Sequence, residues 1–133
     1  DRQLPDGGWN YGDTFVFDTQ LLPFPDTTGI ALTALSGLCE PALVKNSLRY
    51  LRHAVEGIYT PQSLAWALIG LGLWSVRPAD YLRRIEQSLR LQARYGIYDT
   101  DLLALLMIAG QSRNRLFELL VQQGGLNANA WKS

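Results

Sequence analysis

The sequence has little of what marks a secreted, membrane-spanning or nucleic-acid-binding chain. It holds one cysteine, Cys39, in 133 residues. A lone thiol closes no intramolecular disulfide and supplies no thiolate metal set, so a reducing compartment, the cytoplasm, is the expectation. Lys and Arg number 12 and are matched by 12 Asp and Glu, which leaves no net field to draw in a phosphate backbone or an anionic lipid. Nucleic acid is therefore not an expected partner. No apolar run reaches the roughly 18 residues of a spanning helix, the longest candidate being Leu64 to Val76, so no membrane span is expected. A basic and apolar leader is also missing, and a chain that opens on Asp1 reads as a processed or excised piece of a longer protein.

What is present suffices for one core. Hydrophobic residues make up 47% of the chain and charged residues 18%, a balance that offsets the entropy of ordering and excludes a disordered chain. The length is that of a single domain.

The sequence also repeats itself. Gly57-Ile58-Tyr59-Thr60 recurs as Gly96-Ile97-Tyr98-Asp99. Ile30-Ala31-Leu32, Trp66-Ala67-Leu68 and Leu103-Ala104-Leu105 then align as three copies, at a period of roughly 36–39 residues. The same alignment superposes the polar pairs Asp26-Thr27, Gln62-Ser63 and Asp99-Thr100, which read as helix starts because their side chains can accept bonds from the free amides of a first turn. The first helix of each repeat is expected near Thr28 to Leu38, Gln62 to Trp74 and Thr100 to Ala109. The second is expected near Ala42 to Val55, Pro78 to Ala93 and Arg113 to Gln123.

The two helix types differ in composition. The first helices are apolar nearly all round, whereas the second carry most of the arginines; in the middle repeat Tyr81, Leu82, Ile85 and Leu89 recur every three or four residues opposite Arg83, Arg84, Glu86 and Arg90. Alternating buried and amphipathic helices predict two layers, as in an α/α solenoid or a closed α/α barrel. Gly70, Gly72, Ala31 and Ala34 are expected to let neighbouring helices approach closely. The organisation is thus all-α: an irregular aromatic loop over 1–26, hairpins over 27–56, 57–95 and 96–124, and a tail over 125–133.

Gln3-Leu4-Pro5-Asp6-Gly7-Gly8-Trp9 resembles the end of the glutamine-tryptophan repeat of squalene-hopene and oxidosqualene cyclases, in which a Gln is followed by Gly, one residue and Trp. The run from Asp26 to Leu38 is similar to the start of an inner helix in that terpenoid-cyclase superfamily, shared with the β subunits of protein prenyltransferases. The resemblance implies an α/α toroid of about six hairpins, of which this chain supplies half, with an inner ring around an apolar cavity that takes an isoprenoid. It makes Gln3, Gly8 and Trp9 a structural motif. The later copies, Gly57-Ile58-Tyr59 and Gly96-Ile97-Tyr98, lack the Gln and Trp, so only the first can form the stacked Gln and Trp contact.

The same resemblance supplies candidate chemistry. Asp99-Thr100-Asp101-Leu102 stands where the cyclases carry Asp-x-Asp-Asp, which makes Asp101 the candidate proton donor and Asp99 its neighbour, with Leu102 in place of the last acid. Such a donor must be held protonated in an apolar cavity; the simpler reading is a pair of first-turn carboxylates facing a helix N-terminus. Trp66, Tyr59 and Tyr98 are the candidate ligand contacts. The aromatic series Trp9, Tyr11, Phe15, Phe17, Phe24, Trp66 and Trp74 can stabilise carbocations through π faces or simply pack the N-terminal loop against the core. The Asp, Cys and His set of the zinc-dependent prenyltransferases is missing, because Cys39 lies in a turn and His53 on a charged outer helix. No metal or cofactor is implied. Arg83, Arg84, Arg90 and Arg94 can hold a diphosphate or form a solvated helix face, and Asp13 and Asp18 can bind a metal or start turns. The Gly-Cys-Gly-Glu-Gln element of complement-like thioester domains, which share the toroid, is absent.

Three functional readings stay open. The chain is a lobe of a cyclase-like or prenyltransferase-like enzyme completed by further hairpins or by self-association, a silent toroid that binds an apolar ligand, or a helical scaffold for a protein partner.

Overall fold

The computed structural model describes residues 2–12, 15–17 and 19–111. Their order is β1 (Phe15–Val16), β2 (Thr19–Gln20), α1 (Pro25–Leu35), α2 (Pro41–Ala54), α3 (Pro61–Leu73), α4 (Tyr81–Arg90), α5 (Gln92–Tyr95) and α6 (Thr100–Gln111). The chain is all-helical apart from β1 and β2, which form one short antiparallel pair. The second helix of the third repeat, expected at Arg113 to Gln123, and the tail over 125–133 lie outside the described residues. Among the described residues no helix is long and apolar enough to cross a membrane.

Proline, not a polar cap, starts three of these helices. Pro25, Pro41 and Pro61 open α1, α2 and α3, and the residues before them, Phe24, Glu40 and Thr60, make no side-chain cap bond. Proline at the first position has its φ preset for the helix and lacks only an amide that would be unpaired anyway. The expectation that all three polar pairs cap helices is therefore corrected. Asp26-Thr27 fall inside the first turn of α1 and Gln62-Ser63 inside that of α3. Asp99 caps α6, its carboxylate accepting from the Leu102 amide at 2.8 Å, and the Asp26 carboxylate, from within the first turn of α1, accepts from the Thr27 amide at 2.9 Å. The second helix of the middle repeat is also shorter than expected, because α4 stops at Arg90 and the chain turns into α5.

α3 lies between α1 on one flank and α6 on the other, while α2 packs against α1 and α3, and α4 against α3 and α6. Position in this arrangement decides burial more than composition does. α3 buries eight of its 13 residues, α1 three of 11 and α6 two of 12, although all three read as apolar. The core gathers on α3, with Leu64, Leu68 and Leu71 meeting Leu32 of α1, Val44 and Leu51 of α2, Ile85 of α4 and Leu106 of α6.

The tightest contact joins α1 to α3 through two glycines. A Cβ on Gly70 would stand 2.8 Å from the Gly29 carbonyl oxygen, and one on Gly29 would overlap the Trp66 carbonyl and reach 2.8 Å from the Ala67 nitrogen. Backbone thus rests on backbone, and neither partner is a side chain that can swing aside. Of the small residues expected to do this, Gly70 does; Ala34 is exposed and Ala31 only half-buried, because they point off the contact with α3. At the far end the Trp74 indole donates to the Leu32 carbonyl at 2.8 Å and closes the pair.

The aromatic series divides. Tyr11, Phe15, Phe17 and Phe24 are exposed, Phe17 by 98%, contrary to the reading of these four as core, whereas Trp9, Trp66 and Trp74 pack partly against the core. Leu4 is buried, 2% exposed. The turn Leu4 to Gly8 is held by its own amides, at 2.9 and 3.0 Å, and the Trp9 carbonyl accepts from the Phe24 amide at 2.9 Å. Tyr11 stays at the start of α1, its phenol donating to Asp26 and its ring lying against Phe24.

Gly70→Ala discriminates this packing from ordinary helix propensity. In an open helix the change stabilises by about 1 kcal/mol; here it forces α1 and α3 apart, and the midpoint of chemical denaturation is expected to fall. Leu68, fully buried, gives a stronger test: Leu68→Asp places an unpaired carboxylate in the core and is expected to abolish the cooperative unfolding transition seen by circular dichroism.

Candidate functional site

The segment ahead of α1 is anchored by two buried hydroxyls. Ser47 of α2 is fully buried, and its Oγ accepts from the Gly8 amide at 2.7 Å and from the Gln3 side-chain amide at 2.7 Å. Gln3 also donates to the Leu43 carbonyl at 3.3 Å. Thr28 of α1, fully buried as well, accepts from the Trp9 amide at 3.0 Å and returns its hydroxyl proton to the Trp9 carbonyl at 3.3 Å. Gly7 and Gly8 adopt φ of +97° and +86°, and a Cβ on Gly7 would stand 2.5 Å from the Asn46 backbone. A side chain at Gly7 would meet both strain and α2 itself. Trp9 thus reaches the start of α1, while Gln3 reaches α2.

Ser88 holds the corresponding place in the next repeat. It is fully buried on α4, its hydroxyl donates to the Tyr59 carbonyl at 3.2 Å, and its own carbonyl accepts from the Tyr98 phenol at 2.7 Å. Ser88 thereby ties the second helix of the middle repeat both to the Gly-Ile-Tyr loop that opens that repeat and to the one that opens the next. Neither serine was singled out from the sequence. The available signal was a Ser inside an otherwise apolar stripe, Val44-Ser47-Leu51 and Ile85-Ser88, where a small hydroxyl can sit only if it is bonded.

The expected site residues fall in different settings. Asp99 is exposed and caps α6. Asp101, one step inside the first turn of α6, is exposed to solvent. Tyr98 is half-buried and spent on Ser88. Tyr59 is exposed and lines an apolar recess of about 550 Å³ with Pro61, Leu91 and Tyr95. Trp66 lies half-exposed on α3. Asp99 and Asp101 are thus brought together at the start of α6, and Tyr59 and Tyr98 meet at Ser88, the first through its carbonyl and the second through its phenol.

The arginines of α4 also divide. Arg83 and Arg90 are exposed and paired within their own helix, to Asp80 and Glu86, each at 2.6 Å. Arg84 is largely covered; its Nε donates to Asp80 at 3.0 Å and its Nη1 to the Val55 and Glu56 carbonyls at 3.1 and 3.2 Å. It caps the C-terminus of α2 across the layer, where a cation offsets the helix dipole. Hydrogen bonds from Arg84 and then Arg83 hold the Asp80 carboxyl below the usual carboxylate range. Arg77 stacks 3.8 Å over the Tyr81 ring and donates to the Ala109 carbonyl of α6 at 2.8 Å. Cys39 is a free, half-buried thiol. His53 is exposed beside Glu56 at 3.8 Å. Among the described residues no cluster of three His, Cys, Asp or Glu side chains converges on a metal-sized site. Asp13 and Asp18 lie outside the described residues.

No protein-family model, no curated protein and no solved structure matches this chain. Its function is therefore argued from its own surfaces.

Ser47→Ala is expected to cost about 1–3 kcal/mol, since it leaves the buried Gly8 amide without an acceptor; equilibrium denaturation measures it, and an unchanged midpoint would reject the anchoring role. For Asp80, a folded-state pKa below the unfolded value means that its contribution is complete above the usual carboxylate range. That contribution is lost as pH falls through the depressed value. NMR titration is expected to show Asp80 titrating below the usual carboxylate range, and Asp80→Asn to flatten this part of the acid-limb stability profile.

Proposed function

We propose that this chain is a lobe of a helical-hairpin ring, of the kind found in terpenoid cyclases and protein prenyltransferases, and that its inner layer binds an isoprenoid or another apolar ligand. The supporting observation is the uncovered side of that layer. On α1, Ile30 and Ala34 are exposed one turn apart while Thr28 and Leu32 are buried; on α6, Ala104, Met107 and Ile108 are exposed while Leu106 and Ala109 are buried. On α3 between them, Trp66 and Leu73 are the half-exposed large apolar side chains. Apolar residues left uncovered on three adjacent helices form a surface that gains by taking up apolar material. Further hairpins of a longer chain, or a second copy, would enclose it.

The reading is one of binding without chemistry. An acid that protonates an alkene must stay protonated near neutral pH, which requires desolvation, and Asp101 is exposed. The chain alone is expected to turn over no squalene-like or prenyl diphosphate substrate. A cyclised or prenylated product that disappears in Asp101→Asn would overturn this. Binding is tested by titrating intrinsic tryptophan fluorescence with farnesol. Saturable binding is expected, weakened by Ile30→Asp and by Ile108→Asp, both at exposed positions. No saturation with the unmodified chain, or saturation that both substitutions leave unchanged, would reject the proposal.

A further inference from the structure

The opposite layer carries a second surface. Along α2 runs an open groove of about 550 Å³ lined by the apolar Leu48 and Val76 together with Lys45, Arg49, Arg52 and His53. It follows the helix from Pro41 and continues past its last residue, Ala54, to Glu56, about 20 Å of helix at 1.5 Å per residue. Its cations differ from those of α4. Arg83, Arg84 and Arg90 each hold a carboxylate on their own helix, whereas Lys45, Arg49 and Arg52 are exposed and pair with no carboxylate among the described residues. The carboxylate that lines the groove, Glu56, stands beside His53 at the C-terminal end.

We infer that this groove docks an acidic amphipathic helix of a protein partner, with apolar side chains on Leu48 and Val76 and carboxylates against Lys45, Arg49 and Arg52. The spacing selects this occupant. The cations recur about once per helical turn over the middle of the groove, Lys45, Arg49 and Arg52, a stretch of about 10 Å, which matches an occupant bearing an anion at each of successive turns better than a lipid, whose single headgroup would meet one of the three. The apolar floor and the zero net charge of the chain disfavour a phosphate backbone, which draws on cationic surface throughout. Helix-in-groove docking uses this pairing of an apolar stripe with complementary flanking charge. The inference is independent of the apolar-ligand reading, since it concerns the outer layer and its failure would leave the inner face untouched.

The test uses the full chain and three probes: a stapled helical peptide of about 18 residues, long enough to span the groove, with Leu on one face and Glu on its flanks; a single-stranded oligonucleotide; and phosphatidylglycerol vesicles. Fluorescence anisotropy is expected to show saturable, salt-sensitive binding of the peptide. Arg49→Glu with Arg52→Glu is expected to weaken it by at least about tenfold and to confer binding of the same peptide carrying Lys in place of Glu. Arg83→Glu with Arg90→Glu, an equal change of net charge at already paired positions, is expected to leave it within about twofold, because distant exposed charges are screened. Equal loss in the two double variants, no binding of the peptide, or tighter binding of the oligonucleotide or the vesicles would each overturn the inference.

Discussion

The backbone contact between Gly29 and Gly70 sets the rest of the architecture. Because the carbonyl of one helix lies where the other would carry its Cβ, α1 and α3 approach more closely than side chains allow. That approach brings the Trp74 indole within reach of Leu32 and lets α2 rest on both helices at once. α3 becomes the shared wall of the molecule, buried on most of its circumference, and α6 takes its other flank. A single larger residue at this crossing would shift every helix that uses α3 as a reference, since a close-packed interior transmits displacement rather than absorbing it.

Polar groups add register to this apolar frame. Ser47, Thr28 and Ser88 are buried, each is bonded to the main chain of a neighbouring segment, and no buried side-chain polar atom among the described residues is left unpaired. Such bonds contribute little net energy when made but cost more when broken, so they select one position of each loop. Arg84 does the same between repeats, joining the end of α2 to the start of α4. The described residues consequently present two surfaces of different character: exposed apolar side chains on α1 and α6, and a cationic groove along α2.

Much of the fold was legible in the sequence, and little of the site was. The helices of the described residues stand near where the repeat and the apolar periodicity placed them, and the arginine-bearing α2 and α4 each pack against α3. The polar pairs mark the helix starts to within about three residues, but Pro25 and Pro61 take the first position ahead of them. Of the N-terminal aromatics, Trp9 reaches the core while Tyr11 and Phe24 pair with each other at the surface, a division that composition alone does not carry. Of the candidate residues, Asp99 became a cap and Tyr98 a tie between repeats, roles that use the same chemistry expected of a site for a structural end.

What the sequence determined by itself was local and statistical: helices throughout the described body, with the apolar α1, α3 and α6 alternating with the amphipathic α2 and α4. Those follow from the spacing of side chains along one helix, which needs no neighbour. Tertiary structure decided which glycines meet, which serines are buried, which arginines are neutralised and which apolar residues remain uncovered. Each of those depends on what another segment places opposite, and an identical residue is a cap, a tie or a free charge according to that partner alone.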